Sequence, residues 1–407
     1  MPRLVLVGGG HAHAEVLRRL GSPSSTCAPT ATVTLISPAP TSPYSGMLPG
    51  VLEGLYRAEE AALDVAALAA AIPGGRFLCG RATAVDTAKR EVWVEEEGGV
   101  PGASPPTRVP YDVVSLDVGA GPGWGGVTGA EAWATPVKPV ATLLERVESV
   151  LAGSGPSSVA VVGGGAGGVE VAAALAARPG GSTRVTLVCG GRLLPGAPGK
   201  AMAAVAARLA AAGVAVVTSP RVVRVEPDAG AGAGGGVGGG GVGVGVGGGG
   251  GVVLTLSDDA QLSVAACLWC TGAAAPAWLG AGPSPPRLTP DGFVAVGADL
   301  ASPAAPSLFA AGDCAAVLPH PRPKAGVFAV RQGPALTENL LAALAGRAPR
   351  EFTPQATALS LLSLGWRSGV GIVPVAGLSS TPLVVQGRWV WVWKDWIDRR
   401  FVRRYQR

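Results

Sequence analysis

Two glycine-rich turns, each set between a short apolar run and a helix-forming segment, constrain this chain more than any other feature. The first is Leu4-Val-Leu-Val-Gly-Gly-Gly-His-Ala-His13, and the second is Val159-Ala-Val-Val-Gly-Gly-Gly-Ala-Gly-Gly-Val-Glu170. Each reads as a buried strand, a tight turn and the start of a helix. Such a turn aims backbone N–H groups and the positive end of a helix at a pyrophosphate. Two copies predict two dinucleotides held face to face. The second copy fits G-x-G-x-x-G in full, as Gly163, Gly165 and Gly168. The first matches at Gly8 and Gly10 only. His13 stands where a third small residue is expected, and it should hinder close packing of helix on strand.

The chain has 407 residues, enough for two or three domains with their own cores. Much of its apolar content is Ala and Val, and no long apolar run escapes interruption by glycine, so no transmembrane helix is expected. The first strand begins at residue 3, which leaves no room ahead of it for a targeting peptide and predicts a cytoplasmic protein. The six cysteines show no disulfide framework. Cys267-Leu-Trp-Cys270 is formally a CxxC, but in the strand-like run Leu262 to Thr271 residues three apart face opposite ways. Two structural cysteines, rather than a redox or metal pair, are expected, and no metal site is. Net charge is +5. That excess equals the balance of the last twenty residues, where Arg388, Lys394, Arg399, Arg400, Arg403, Arg404 and Arg407 face Asp395 and Asp398. The rest is balanced, which argues against nucleic-acid binding.

Strands are expected at 3–8, 32–37, 90–95 and 111–117, with helices at 11–20 and 61–72. A helix over 137–151 leads into the second glycine turn, followed by a helix at 169–177, a strand at 183–189, a helix at 200–212 and a strand at 214–218. Strands at 221–226 and 252–256 form a hairpin around Ala229 to Gly251, almost all glycine, which is expected to be a disordered loop. A strand over 308–313 and a long helix over 327–344 return to the first unit. The fold class is α/β: two Rossmann-like three-layer domains, one inserted in the other, plus a small C-terminal region. The expected boundaries are 1–135 and 268–347 for the first domain, 136–267 for the inserted one, and 348–407 for the C-terminal region. Neither unit ends its second strand with the acid that usually binds a ribose hydroxyl. Ser37 and Cys189 stand there. Ser37 can still make one bond, and Arg192 favours a 2′-phosphate or is simply solvated.

Together these motifs resemble the two-dinucleotide flavoproteins, the pyridine nucleotide–disulfide oxidoreductases and type II NADH dehydrogenases, over most of the chain. Leu116-Asp-Val-Gly119, Cys270-Thr-Gly272 with Pro276, and Leu308 to Asp313 stand at that family's crossover and flavin motifs. A closer resemblance, in residues 8–13, 43–50 and 323–333, is to the subgroup often fused ahead of selenide, water dikinase, in which His13 is a normal feature. No kinase domain follows here, so a link to selenium is not expected. The resemblance implies FAD at Gly8, Gly10, His11, Ala12, Ser37, Met47, Ala82, Gly119, Gly312, Asp313, Lys324 and Val327, with Asp313 on the ribityl chain. It implies NADH or NADPH at Gly163, Gly165, Gly168 and Glu170.

The family's disulfide reductases carry Cys-x4-Cys near the place of Tyr44 to Pro49, whereas this chain has no cysteine between 28 and 78. Electrons must then pass directly from the flavin to a small acceptor such as a quinone. Hydride transfer between two cofactors demands no protein acid or base. The helix starting near Gly326 should favour negative charge on the flavin edge. Lys138 and Lys324 are the candidates for catalytic positive charge there, though a solvated lysine fits each equally. Tyr44 and Met47 line the flavin or the core, and His11 and His13 are best read as packed histidines. Cys314, beside Asp313, is the one cysteine near the flavin, a weak basis for sulfide:quinone oxidoreduction. An electron-transferring flavoprotein that signals through a partner, like apoptosis-inducing factor, is the alternative class. Trp389, Trp391, Trp393 and Trp396, followed by arginine pairs, fit either peripheral membrane contact through 389–407 or a strand at 389–393 with a charged surface helix after it.

Overall fold

The computed structural model describes all residues except 23–30, 97–104, 153–156, 181–182, 229–250, 376–381 and 407. The expected disordered loop lies outside the described residues, apart from Gly251. Two sheets with parallel centres organise the rest. In the first, Arg3–Val7 sits between Thr32–Ser37 and Val113–Leu116, and Ala305–Ala310 adds in parallel beside Val113–Leu116. Arg76–Asp86 extends the other side in parallel, and Glu91–Glu96 and Thr107–Pro110 complete it as an antiparallel meander. A strand from beyond residue 300 thus closes a sheet begun at residue 3. Between them the chain builds the second sheet, in the order Thr135–Pro136, Ala266–Trp269, Ser158–Val162, Arg184–Cys189, Ala215–Thr218, all parallel.

The apolar run 262–271 is not one strand. Gln261–Val264 belongs to a three-stranded antiparallel sheet with Val222–Pro227 and Val252–Leu256, and Ala266–Trp269 belongs to the central parallel sheet. The switch falls at Ala265, whose N–H is taken by Ser158 O at 2.8 Å. Cys267 therefore packs between the two sheets with Val162, Val188 and Leu254. Cys270 faces the opposite side, against the helix-covered core. Burial pushes both thiols up, that of Cys270 to about 12. The two are structural, as expected.

Several boundaries move for local reasons. The helix expected over 61–72 shrinks to Val65–Ala70, because Ala62–Asp64 pairs with Thr41–Pro43 and the Asp64 carboxylate caps the helix through Ala67 N–H at 2.8 Å. Pro139 delays the next helix to Val140–Leu151. The helices after the second turn and near the end of the first domain start earlier than expected, as Ala166–Ala177 and Gly326–Leu344.

The C-terminal residues form an antiparallel sheet, Ser360–Ser363, Gly369–Val373 and Leu383–Gly387, and one long helix, Arg388–Arg403. Trp389 to Trp393 is thus helical, not a strand. The sheet packs Leu362, Leu364 and Val370 into the core of the second unit, while Val402 and Tyr405 enter that of the first. This region fastens the two nucleotide units together.

Candidate functional site

The two glycine turns have the same construction. Gly8 (φ +95°) and Gly163 (φ +128°) sit where a Cβ would lie 2.3 Å from Asp117 O and 2.4 Å from Cys270 O. Each donates its N–H across to the neighbouring strand, to Ile36 O and to Val188 O, both at 2.8 Å. Only glycine tolerates both the positive φ and the approach. The turns differ at their third position. A Cβ on Gly168 would stand 1.9 Å from Gly163 O, so the helix lies directly on the turn. In the first turn His13 fills the equivalent place without pushing the helix away. Its Nδ1 meets Gly8 O at 2.7 Å and its Nε2 meets Ser115 Oγ at 2.8 Å. A carbonyl only accepts, so Nδ1 carries the proton and Nε2 accepts from the serine hydroxyl. Burial lowers the imidazole to about 4, which keeps it neutral. The expected hindrance is therefore a hydrogen-bonded substitute for the third glycine.

Asp117 is the residue sequence reasoning overlooked. It follows the strand Val113–Leu116, is fully enclosed, and accepts from Ala12 N–H at 2.8 Å and His13 N–H at 3.1 Å, at the positive end of the first helix. A Cβ on Gly10 or on Gly312 would fall 2.2 or 2.3 Å from its carboxyl. Both glycines are small because of this one side chain. Desolvation raises its carboxyl to about 7, against those two N–H bonds. The sequence held one clue, an acid inside the crossover motif, but the juxtaposition is tertiary.

Asp313 lies in a single 3-10 turn, Gly312–Cys314, after the strand Ala305–Ala310. Lys138, from the second unit, reaches it with Nζ 3.1 Å from Oδ2. His11 lies half-buried, with its Nε2 enclosed, and its imidazole falls to about 4 through desolvation and then Lys138. It packs on Tyr44 and Phe401, yet its Nε2 has no partner among the described residues. Lys324 Nζ is bonded to Ala315 O and lies 3.9 Å above the Phe293 ring. Gly312 N–H is held by Gln332 Oε1 at 2.7 Å. A cleft of about 320 Å³ opens beside Asp313, lined also by Lys324, His320 and Phe328. Met47 and Ala82 are buried, Ser37 closes the second strand in near-complete burial, and Val327 is exposed on the first turn of its helix. Gly119 and Gly326 have open space where a Cβ would be.

Glu170 and Tyr44 turn towards the C-terminal region. The Glu170 carboxylate accepts from Ser363 N–H at 2.8 Å, and burial raises it to about 7. Tyr44 stacks on Phe401 at 4.5 Å and donates to Asp398 at 3.0 Å, and Asp398 pairs with Lys394 at 2.6 Å. Lys394 also bonds Gly46 O, and the charges of Glu170 and Asp398 hold its ammonium above its ordinary value despite burial. Cys314 is fully buried, donates to Ala311 O at 3.2 Å, and is pushed up to about 12. It is not a reactive thiol. All described cysteines are free, and no group of potential metal ligands occurs among the described residues.

This double-turn architecture is that of a flavin oxidoreductase. The chain belongs to the pyridine nucleotide-disulphide oxidoreductase family, whose model matches residues 2–333, and its cofactors are accordingly FAD and NAD(P)H. Solved structures agree in fold. The sulfide:quinone oxidoreductase of Aquifex aeolicus is 17% identical, with a TM-score of 0.74 over 100% of this chain and 91% of that one. NDH2 of Plasmodium falciparum, solved with NADH, is 15% identical, with a TM-score of 0.73 over 98% and 96%. The water-forming NADH oxidase of Lactobacillus brevis, also solved with NADH, is 17% identical, with a TM-score of 0.68 over 99% and 91%. No curated protein matches the sequence. The residues fit FAD: an orphaned buried imidazole nitrogen at His11, and side-chain space left open at Gly119 and Gly326.

Proposed function

We propose that this flavin oxidoreductase takes hydride from NAD(P)H and passes the electrons to a quinone or a similar small acceptor, with no redox disulfide between. The observation that carries the second half is the segment Tyr44 to Glu53: a short 3-10 turn and helix without a cysteine, in a chain whose Cys314 is buried and protonated. Hydride acceptance and onward electron transfer are the chemistry of the bound flavin. The protein's part is orientation and charge. Gly8 and Gly10, kept bare by Asp117, would shape the turn that receives the FAD pyrophosphate, beside Ala12 and the open space at Gly119, with Ser37 at the ribose and Asp313, held by Lys138, at the ribityl chain. His11 Nε2 would gain its missing partner from the cofactor. Met47, Ala82, Lys324 and Val327 would border the flavin, and the helix beginning at Gly326 would turn its positive end to the ring. Gly163, Gly165 and Gly168 would hold NAD(P)H. Glu170, Lys394, Asp398 and Tyr44 form a largely enclosed cluster able to hold a proton at the Glu170 carboxylate, as reduction of a quinone requires. The likeness to the subgroup fused ahead of selenide, water dikinase supports the same cofactor set.

Stopped-flow absorbance tests this reading. Mixing oxidised protein with NADH or NADPH should bleach the flavin band, and a quinone should then restore it within the turnover time. Bleaching without reoxidation by any small acceptor would favour the signalling flavoprotein instead. No bleaching with either nucleotide would refute the hydride step.

A further inference from the structure

The second sheet ends in a cleft of about 550 Å³ lined by Gly191, Arg192, Leu193, Met202, Thr218 and Ser219, among others. It lies beyond the carboxyl ends of Arg184–Cys189 and Ala215–Thr218, next to the second glycine turn. The loop carrying Arg192 is tied to that turn by Leu194 N–H to Gly164 O at 2.7 Å. In a dinucleotide unit this is where the adenosine ribose falls. An acid there would bind both ribose hydroxyls and repel a phosphate, but the strand ends in Cys189, buried against Gly164. No Asp or Glu occurs anywhere in residues 171–225, a stretch with Arg178, Arg184, Arg192, Lys200, Arg208, Arg221 and Arg224. Arg178 and Arg224 are neutralised by Glu148 and Glu226. Arg192 is exposed and makes no ion pair among the described residues. Ser219 lines the same cleft at φ +42°, a conformation uncommon outside glycine, with its N–H on Cys189 O.

We infer that the coenzyme of this chain is NADPH rather than NADH, its 2′-phosphate received in this cleft by Arg192 with the hydroxyls of Thr218 and Ser219. The inference rests on the proposed nicotinamide site and deepens it. A guanidinium pairs with phosphate through two parallel hydrogen bonds, and no carboxylate of residues 171–225 opposes it. Lys200 and Arg221 strengthen the local positive field without being asked to touch the ligand.

The test separates binding from hydride transfer. On the purified holoenzyme, calorimetry should show 2′,5′-ADP binding more tightly than 5′-AMP, about tenfold to a hundredfold for one charged hydrogen-bonded contact. NADPH should bleach the flavin at lower concentration than NADH by a similar factor. Arg192→Ala should abolish both preferences. Arg184→Ala, at the opposite end of the same strand, should keep them. Equal binding of the two probes, or a preference that survives Arg192→Ala, overturns the inference. Faster bleaching by NADH overturns it too, yet leaves the hydride reading intact. A 2′,5′-ADP preference lost with Arg192→Ala, in a protein that neither nucleotide reduces, supports the phosphate site and refutes the hydride reading.

Discussion

His13 shows how a residue that breaks a motif can complete it. Its ring takes Gly8 O and Ser115 Oγ where the second turn relies on contact with a bare glycine. Replacing it by alanine leaves a buried carbonyl and hydroxyl without their partner and opens a cavity, which should cost about 2–4 kcal/mol in urea unfolding. The cost has a pH signature. Unfolded histidine binds its proton near 6.5, whereas the native ring resists protonation until about 4. Between those values the unfolded chain holds more protons, so acid removes stability from wild type through His13 and not from the variant. The stability gap between wild type and His13→Ala should therefore shrink as pH falls from 6.5 towards 4, in unfolding curves taken across that range. A gap that stayed constant would mean the ring titrates normally and is not enclosed as described. Asp117 marks the opposite limit of legibility. Its type and position were plain in Leu116-Asp-Val-Gly119, yet its importance lies in Gly10 and Gly312 closing around it, and those three residues are brought together only by the folded sheet.

Among the elements, the parallel strands were legible because each is an apolar run ending in glycine or a small polar residue, buried on both faces. The last helix was not. Its inward face, the buried Val390, Asp398 and Val402 with the half-buried Lys394, has helical spacing, but two of the four are charged. Hydrophobic periodicity cannot register a face whose burial is satisfied by an ion pair, and the alternating Trp and Val of 389–393 then suggests a strand. The charges also do different work from that expected of a basic tail. Lys394 and Arg399 pair within the helix, and Arg404 reaches back to Glu15, which Arg18, Arg19 and Tyr405 also hold. The Glu15 carboxyl is almost wholly buried, yet the Arg18 and Arg19 hydrogen bonds bring it down to about 2. Glu15→Gln should weaken this joint by about 2–3 kcal/mol at neutral pH, since the carboxylate charge facing three guanidiniums is lost and one of its two acceptor oxygens becomes an N–H donor among donors. The loss should show first as faster hydrogen exchange in the 388–403 helix. With a depressed native pKa, the contribution is present above the unfolded value of 4.5 and disappears as pH falls towards 2, so wild type and variant should converge in strong acid.

At the scale of the whole molecule, the C-terminal region joins the two nucleotide units and leaves one side of its helix uncovered. Trp389, Val392 and Trp396 are each more than half exposed, on one stripe. Trp389 stacks on Trp393 at 6.4 Å, and Arg400 lies 5.3 Å from the Trp396 ring. No helix among the described residues is long and apolar enough to cross a membrane. A tryptophan stripe edged by arginine instead suits the headgroup layer of an anionic bilayer, where the indole bodies are buried and their N–H groups remain wet. With the proposed acceptor such contact would serve turnover, because a long-chain quinone is confined to the bilayer and an enzyme that reduces it gains by lying on the surface. Trp389→Ser with Trp396→Ser removes two exposed rings that contribute nothing to either core, so folding and NAD(P)H-driven bleaching should be unchanged. Sedimentation with vesicles containing an anionic lipid should fall markedly in the double variant. Turnover with a vesicle-embedded quinone should fall with it, while turnover with a short, water-soluble quinone should not. Loss of both activities together would assign the stripe to the fold or the flavin site. Full retention of vesicle binding would remove it from any membrane role.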